Sequence, residues 1–254
     1  MDSSVPIFSQ PHSDSSGLGE DDLSLGRTAL NRRPEVVTFD CYGTLIDWET
    51  GIRDSFRQAL AEKGSSDVEN RIFELYEQEE RRIEKELPYR SYRLVLSETV
   101  SRVARKTGWE LAPDQSGFLA RDLPSWKPFQ DTNPALQRLV RKLRLGILSN
   151  VDDDLLSGTL KHLAVPFEII VTAEQVKAYK PSTAHFEKAR KIIGDGREWL
   201  HVAASLYHDI EPARKLGIEA VWVNRKNQPL PGGYLGPGVR QVNGLEKLAA
   251  MLNA

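Results

Sequence analysis

The sequence is poor in cysteine, in long apolar runs and in excess charge of either sign. Its one cysteine, Cys41, excludes an internal disulfide and fits a reducing compartment; it reads as a small buried hydrophobe. The longest apolar runs are far too short to cross a bilayer, so a cytoplasmic protein without a membrane partner is expected. A net charge of -2 lacks the basic footprint that nucleic acid demands. Residues 1–33 have no apolar period and are rich in Ser, Gly and acids. They read as a disordered leader, and the acids argue against a transit peptide. What remains of the 254 residues is ample for one large domain, or a domain carrying an insertion.

The stretch that organises the rest is Val36-Val37-Thr38-Phe39-Asp40-Cys41-Tyr42-Gly43-Thr44-Leu45. Its β-branched and aromatic start suits a buried strand of a parallel sheet. It ends at once in Asp40 and turns at Gly43. Open α/β sheets bind ligands at the carboxyl ends of their strands. Two readings stand side by side: Asp40 accepts hydrogen bonds from the turn amides, or it is a nucleophile or metal ligand.

Apolar residues then recur at spacings of three and four as far as residue 125. Ile52, Phe56 and Leu60 mark one helix. Val68, Ile72, Leu75, Tyr76 and Ile83 mark a second, and Leu94, Val95, Val103 and Ala104 a third that ends near Gly108. The run Glu77-Gln78-Glu79-Glu80-Arg81-Arg82 reads as a solvated face with i,i+4 pairs. An all-helical block after the first strand predicts a cap over that strand's end. Beyond it, a helix through Leu136, Leu139, Val140 and Leu143 leads into strands over 145–148, 169–171, 200–204 and 220–223 that alternate with helices. With 35–39 they make five strands. Gly217 is a natural helix end, 229–238 a Pro/Gly-rich loop and Leu245–Leu252 a closing helix. The expected architecture is α/β: a Rossmann-like parallel sheet of five or more strands over 34–48 and 127–254, with an inserted α-helical cap over 49–126.

Three further features leave strands of this sheet: Ser149-Asn150, Tyr179-Lys180-Pro181, and Ser205 through Asp209. Strand-end loops converge, so Asp40, Ser149, Lys180 and Asp209 can meet. Under a cap a carboxylate can be desolvated and aimed. Lys180 would hold it ionised, an ester could form, and Asp209 could orient or deprotonate the water that cleaves it. Ser149, Thr44 and the turn amides can bind substrate oxygens. Taken singly, each has an ordinary reading: Ser149 a helix cap, Lys180 a surface lysine, Asp209 a first-turn acid.

Phe39-Asp40-x-Tyr42-Gly43-Thr44-Leu45, Leu148-Ser149-Asn150, Tyr179-Lys180-Pro181 and Ser205-x-x-x-Asp209 resemble, in order, the four signatures of the haloacid dehalogenase superfamily. The resemblance implies catalytic Asp40, Lys180 and Asp209, with Tyr42, Thr44, Ser149, Asn150 and Ser205 at the substrate. Phosphatases of that superfamily usually carry a second Asp two residues after the nucleophile and two acids in the last motif for magnesium. Here Tyr42 stands at the first position, and Leu206, Tyr207 and His208 precede a single Asp209. Asp-x-Tyr-Gly-Thr and Trp222-x-Asn224-Arg225 are similar instead to the type II L-2-haloacid dehalogenases. These attack the carbon bearing the halogen and need neither leaving-group proton nor metal. A small anionic substrate and no cofactor are therefore expected. Magnesium would enter only if a phosphatase reading held, and a non-catalytic binding protein on the same fold is the remaining alternative.

The departures are specific. Leu206 stands where those dehalogenases have Asn, and Phe186 where they have Tyr. The cap arginine that grips the halide has no clear match, with Arg81, Arg82, Arg90 and Arg93 as candidates. Trp48 and Trp126, at the two cap hinges, read as packing residues, and His208 as part of a helix cap. Helical caps of this kind can pair, which leaves a homodimer open.

Overall fold

The computed structural model describes residues 33–60, 66–229 and 239–254. The leader up to residue 32, the side chain of Val68 and residues 230–238 lie outside what is described. Val36–Phe39 (β1) is buried on both faces, as its β-branched and aromatic content suggests. It lies between two parallel neighbours, pairing Thr38 with Gly146 on one side and with His201 on the other.

After β1 the chain turns at Gly43, whose φ of +91° puts it in the left-handed region. A Cβ there would also lie 2.8 Å from the Trp48 indole nitrogen, so both backbone and packing require glycine. Four helices follow: Trp48–Ala59 (α1), Ser66–Glu84 (α2), Tyr92–Thr107 (α3) and Phe118–Asp122 (α4). The Asp47 carboxylate caps α1 by accepting from Thr50 N. Gly108, at φ 70°, ends α3. The block has an aromatic interior in which Phe56 meets Phe118 edge-on at 5.2 Å and Tyr76 at 6.2 Å. Of the residues read as the apolar face of α3, Val95, Val103 and Ala104 are buried, but Leu94 is 57% exposed. It stands next to Val95 and therefore on a different side of the helix.

The chain then runs through Thr132–Leu139 (α5), Arg144–Ser149 (β2), Asp153–Leu160 (α6), Ile169–Thr172 (β3), Ala173–Val176 (α7), Ala184–Ile193 (α8) and Trp199–Ala203 (β4). One wide helical turn, Leu206–Ile210, leads into Glu211–Lys215 (α9). Glu219–Val223 (β5), Val239–Val242 (β6) and Leu245–Met251 (α10) complete it. The six strands form one parallel sheet in the order β3-β2-β1-β4-β5-β6. This is the doubly wound order, whose crossovers change side at β1. Gly217 takes φ +67° between α9 and β5, as the helix-end reading predicts. The sixth strand is an addition to the five read from the sequence. Only Val242 of its four residues is buried, so it carries little of the apolar signal that marks a strand.

The acidic run of α2 departs from a solvated face. Glu79 is 1% exposed and is held by Lys106 at 2.5 Å and Arg82 at 3.1 Å. Glu77, Glu80, Arg81 and Glu84 line a cavity. The expected i,i+4 pair, Arg81 with Glu77, is present at 3.5 Å.

Candidate active site

Because all six strands run parallel, β1, β2, β3 and β4 end on the same side. Asp40 follows β1, Ser149 closes β2, Lys180 lies in the loop between α7 and α8, and Asp209 sits in the turn after β4. The Lys180 ammonium donates to Asp40 Oδ1 at 2.9 Å, Asp209 Oδ1 at 2.6 Å and Leu148 O at 2.8 Å, which uses all three of its protons. Asn150 holds the backbone of the same residue. Its Oδ1 accepts from Lys180 N at 2.7 Å, and its Nδ2 donates to Lys180 O at 3.2 Å. The lysine is thus clamped at both ends.

Two carboxylates share this one cation unequally. Asp209 also accepts from His201 Nε2 at 3.1 Å. Trp199 Nε1 donates to Thr38 Oγ1 at 2.8 Å, and Thr38 Oγ1 lies 2.9 Å from His201 Nδ1. An ionised carboxylate can only accept, so His201 Nε2 carries the hydrogen that faces Asp209. Burial would raise the Asp209 carboxyl, but Lys180 and His201 together hold it well below the usual range. Burial also dominates at Asp40, and there the Lys180 charge does not offset burial together with the Asp209 charge. Asp40 is raised above the ordinary carboxylate value. Lys180, which burial alone would lower, is driven up by Asp209 and Asp40. The ammonium acts to hold both carboxyls ionised, and at Asp40 burial together with the Asp209 charge outweighs it.

The residues expected around the substrate fall into two groups. Ser149 lines the cavity with a buried hydroxyl that has no hydrogen-bond partner among the described residues. The others have polar tips engaged with the protein. Thr44 donates to Asp40 Oδ2 at 2.8 Å and accepts from Ala204 N at 2.9 Å; fully buried, it aims the carboxylate rather than facing the cavity. Tyr42 lines the cavity, but its hydroxyl bonds Thr159 Oγ1 at 2.9 Å. Asn150 is taken up by Lys180 as described. Ser205 caps the turn after β4, accepting from His208 N at 3.0 Å, so local capping has claimed its hydroxyl.

The cavity above these groups has a volume of about 610 Å³. Its walls come from the strand-end loops, from Trp48, Glu49 and Arg53 of α1, and from α2. Trp48 both walls the cavity and packs on Phe73 with ring centroids 5.5 Å apart. Trp126 packs edge-on to Tyr42 at 6.2 Å. Of the four arginine candidates, Arg81 lines the cavity. Arg82 is paired with Glu79, Arg90 with Glu86 and Arg93 with Asp154. Arg225 pairs with Asp131 at 3.0 Å and donates to Thr44 O at 2.9 Å, bracing the turn behind Asp40. Sequence reasoning passed over His201 and Glu84 and read Glu80 as part of a solvated face. A histidine inside an otherwise apolar strand was the available signal for the first.

A family model for haloacid dehalogenase-like hydrolases matches residues 34–217. The chain belongs to this family. Among its relatives, this haloacid dehalogenase-like hydrolase is 27% identical over 231 residues to (S)-2-haloacid dehalogenase 2 of Pseudomonas sp. strain CBS-3, covering 85% of this chain and 95% of the relative. It is 26% identical over 207 residues to haloacetate dehalogenase H-2 of Moraxella sp. strain B, covering 76% and 87%. An L-2-haloacid dehalogenase of Xanthobacter autotrophicus, solved with chloropropionic acid covalently bound, shares the fold with a TM-score of 0.74 at 18% identity, over 87% of this chain and 99% of that one. The hydrolase is thus an enzyme with an α/β Rossmann-like core. Among its described residues, no helix is long and apolar enough to cross a membrane.

Proposed function

We propose that this hydrolase cleaves the carbon–halogen bond of a 2-haloalkanoic acid, using Asp40 as nucleophile. An Asp40 oxygen attacks the carbon bearing the halogen. The C–X electrons leave with the halide, and an ester joins Asp40 to the substrate. Water then adds to the ester carbonyl, releasing the 2-hydroxy acid and a proton and restoring Asp40. The observation that carries this reading is the Lys180 ammonium lying between Asp40 and Asp209, 2.9 and 2.6 Å from their oxygens.

The same observation speaks against magnesium. A divalent cation bridging Asp40 and Asp209 would have to share both carboxylates with a like-charged nitrogen. Among the described residues, no three acids, histidines or cysteines are grouped to hold a metal. The reaction as written needs no such ion. A halide leaves without a proton, which suits Tyr42 at the position where a phosphatase would carry an acid.

The geometry supports the remaining roles. Thr44 orients Asp40 for attack. Asp209, held ionised, fixes Lys180, and its second oxygen, buried and without a hydrogen-bond partner, can accept from the hydrolytic water. So depressed an acid orients that water rather than keeping its proton. The free Ser149 hydroxyl can donate to the substrate carboxylate. Arg81, 59% exposed in its side chain and 3.5 Å from Glu77, is the α2 cation best placed to meet a substrate anion.

The test is halide release from bromoacetate and 2-bromopropionate, with EDTA and with magnesium, beside intact-mass measurement of rapidly quenched enzyme. Release indifferent to EDTA and a mass gain equal to the alkanoate, absent in Asp40→Asn, are expected. Full turnover by Asp40→Asn, or magnesium-dependent hydrolysis of a phosphate ester without any halide release, overturns the reading.

A further inference from the structure

The helix face over the cavity carries acids that the proposed reaction does not use. Glu77, Glu80, Arg81 and Glu84 recur on α2 at spacings of three and four, which places them on one side, and all four line the cavity. Arg81 answers Glu77. Glu80 accepts from the phenols of Tyr76, at 2.6 Å, and Tyr92. Glu84 Oε1 takes the Asn150 amide at 3.4 Å, and its Oε2 lies 3.8 Å from His208 Nε2. These partners are neutral. Burial holds the His208 imidazolium down to about 4, so at pH 7 it carries no charge. Among the described residues, neither Glu80 nor Glu84 makes an ion pair with a lysine or arginine. Burial, with the neighbouring Glu80 charge, raises Glu84 well above its usual range. Burial, with Glu77, raises Glu80. Both side chains are half-buried, and Arg81 acts on both and Lys180 on Glu84 without an ion-pair contact; a carboxylate so placed is costly as an anion.

Two further observations point to a ligand here. Ser149 Oγ and Asp209 Oδ2, on the floor of the same cavity, are buried polar atoms without partners. The volume, about 610 Å³, lies within the roughly 300–1,000 Å³ typical of sites for drug-sized ligands. A haloacetate would leave most of it unfilled. Arg53, Arg225 and Lys226 also line the cavity but are paired with Glu49, Asp131 and Glu49; at α2 a second anionic group on the substrate would meet the acids, whereas a cation would complement them.

We propose that the substrate is a 2-halo acid whose far end bears an organic cation, an ammonium or guanidinium group, seated between Glu80 and Glu84 while the halogen-bearing carbon lies over Asp40. The proposal rests on the dehalogenation reading and names its substrate class.

The test uses two 2-bromo acids of equal chain length, one ending in an ammonium and one in a methyl. The methyl substrate is the internal reference for wild type, Glu84→Gln and Glu80→Gln. Wild type should favour the ammonium tail at least tenfold in kcat/KM, about 1.4 kcal/mol. The gain should appear in KM, and the preference should fall towards unity in Glu84→Gln. Equal use of the two tails by wild type, or a preference that both variants retain, overturns the proposal. If wild type releases halide from neither, the dehalogenation reading has failed and the cation seat is read without turnover. Calorimetry with an ω-amino carboxylate and the carboxylate ending in methyl then decides. Tighter binding of the amino compound, lost in Glu84→Gln, supports the seat; equal binding overturns it.

Discussion

Replacing Thr44 by valine keeps the side-chain shape and removes one hydroxyl. That hydroxyl donates to Asp40 Oδ2 at 2.8 Å and accepts from Ala204 N at 2.9 Å. A hydrogen bond to a charged group is worth about 1.5–3 kcal/mol, and an amide left without a partner costs about 1–3 kcal/mol. Ala204 is only partly buried, so water can answer part of the second loss. The expected destabilisation is about 3 kcal/mol, a drop in Tm of roughly 6–12 °C for a chain of this size. Thr44 also helps to hold the Asp40 carboxyl down. Without it Asp40 rises further, and attack requires the ionised form. The acid limb of the kcat/KM profile should therefore move to higher pH. kcat should fall about tenfold or more as the carboxylate loses its aim, with KM little changed. Halide release followed across pH, with thermal melts, measures each effect, and Thr44→Ser should restore them. A raised KM with kcat, acid limb and Tm unchanged would show that Thr44 grips the substrate and refute the reasoning.

Two predictions concern stability. In Gly51→Ala the new Cβ would lie 2.4 Å from Trp126 Cγ. Overpacking of about 1–3 kcal/mol should outweigh a helix-propensity gain of up to about 1 kcal/mol, and a higher Tm would contradict the packing described. His185 and His208 are held neutral by burial, their values lowered from 6.5 to about 3 and about 4. The unfolded chain takes up these protons below pH 6.5 and the folded one does not. The contribution of these two groups should be full above pH 6.5 and decline as the pH falls towards 4, by up to about 1.36 kcal/mol per unit for each histidine. Urea melts between pH 7 and pH 5 that superimpose would refute this.

The sheet and the floor of the cavity were legible because they depend on short-range pattern. Val36 to Phe39 announces a buried strand, and an acid at its end stands out against an apolar run. Parallel topology then requires Asp40, Ser149, Lys180 and Asp209 to share one edge. What stayed hidden depends on which partner each polar group finds. Thr44 and Ser205 look alike as small hydroxyls near the site, yet one is taken by Asp40 and the other by a turn. Glu80 belongs to a run that local spacing reads as surface, and only the placement of α2 over the strand ends turns it and Glu84 towards the cavity. The β6 edge strand escaped because three of its four residues keep contact with solvent.

The sharing of Lys180 bears on the energetics of the proposed cycle. With Asp40 free, this trio carries one more negative charge than positive. Esterification neutralises Asp40 and leaves a balanced couple of lysine and Asp209. The ester brings the alkanoate's own carboxylate in its place, so the net charge around Lys180 is unchanged until hydrolysis, when the product carries that charge away and Asp40 regains its own.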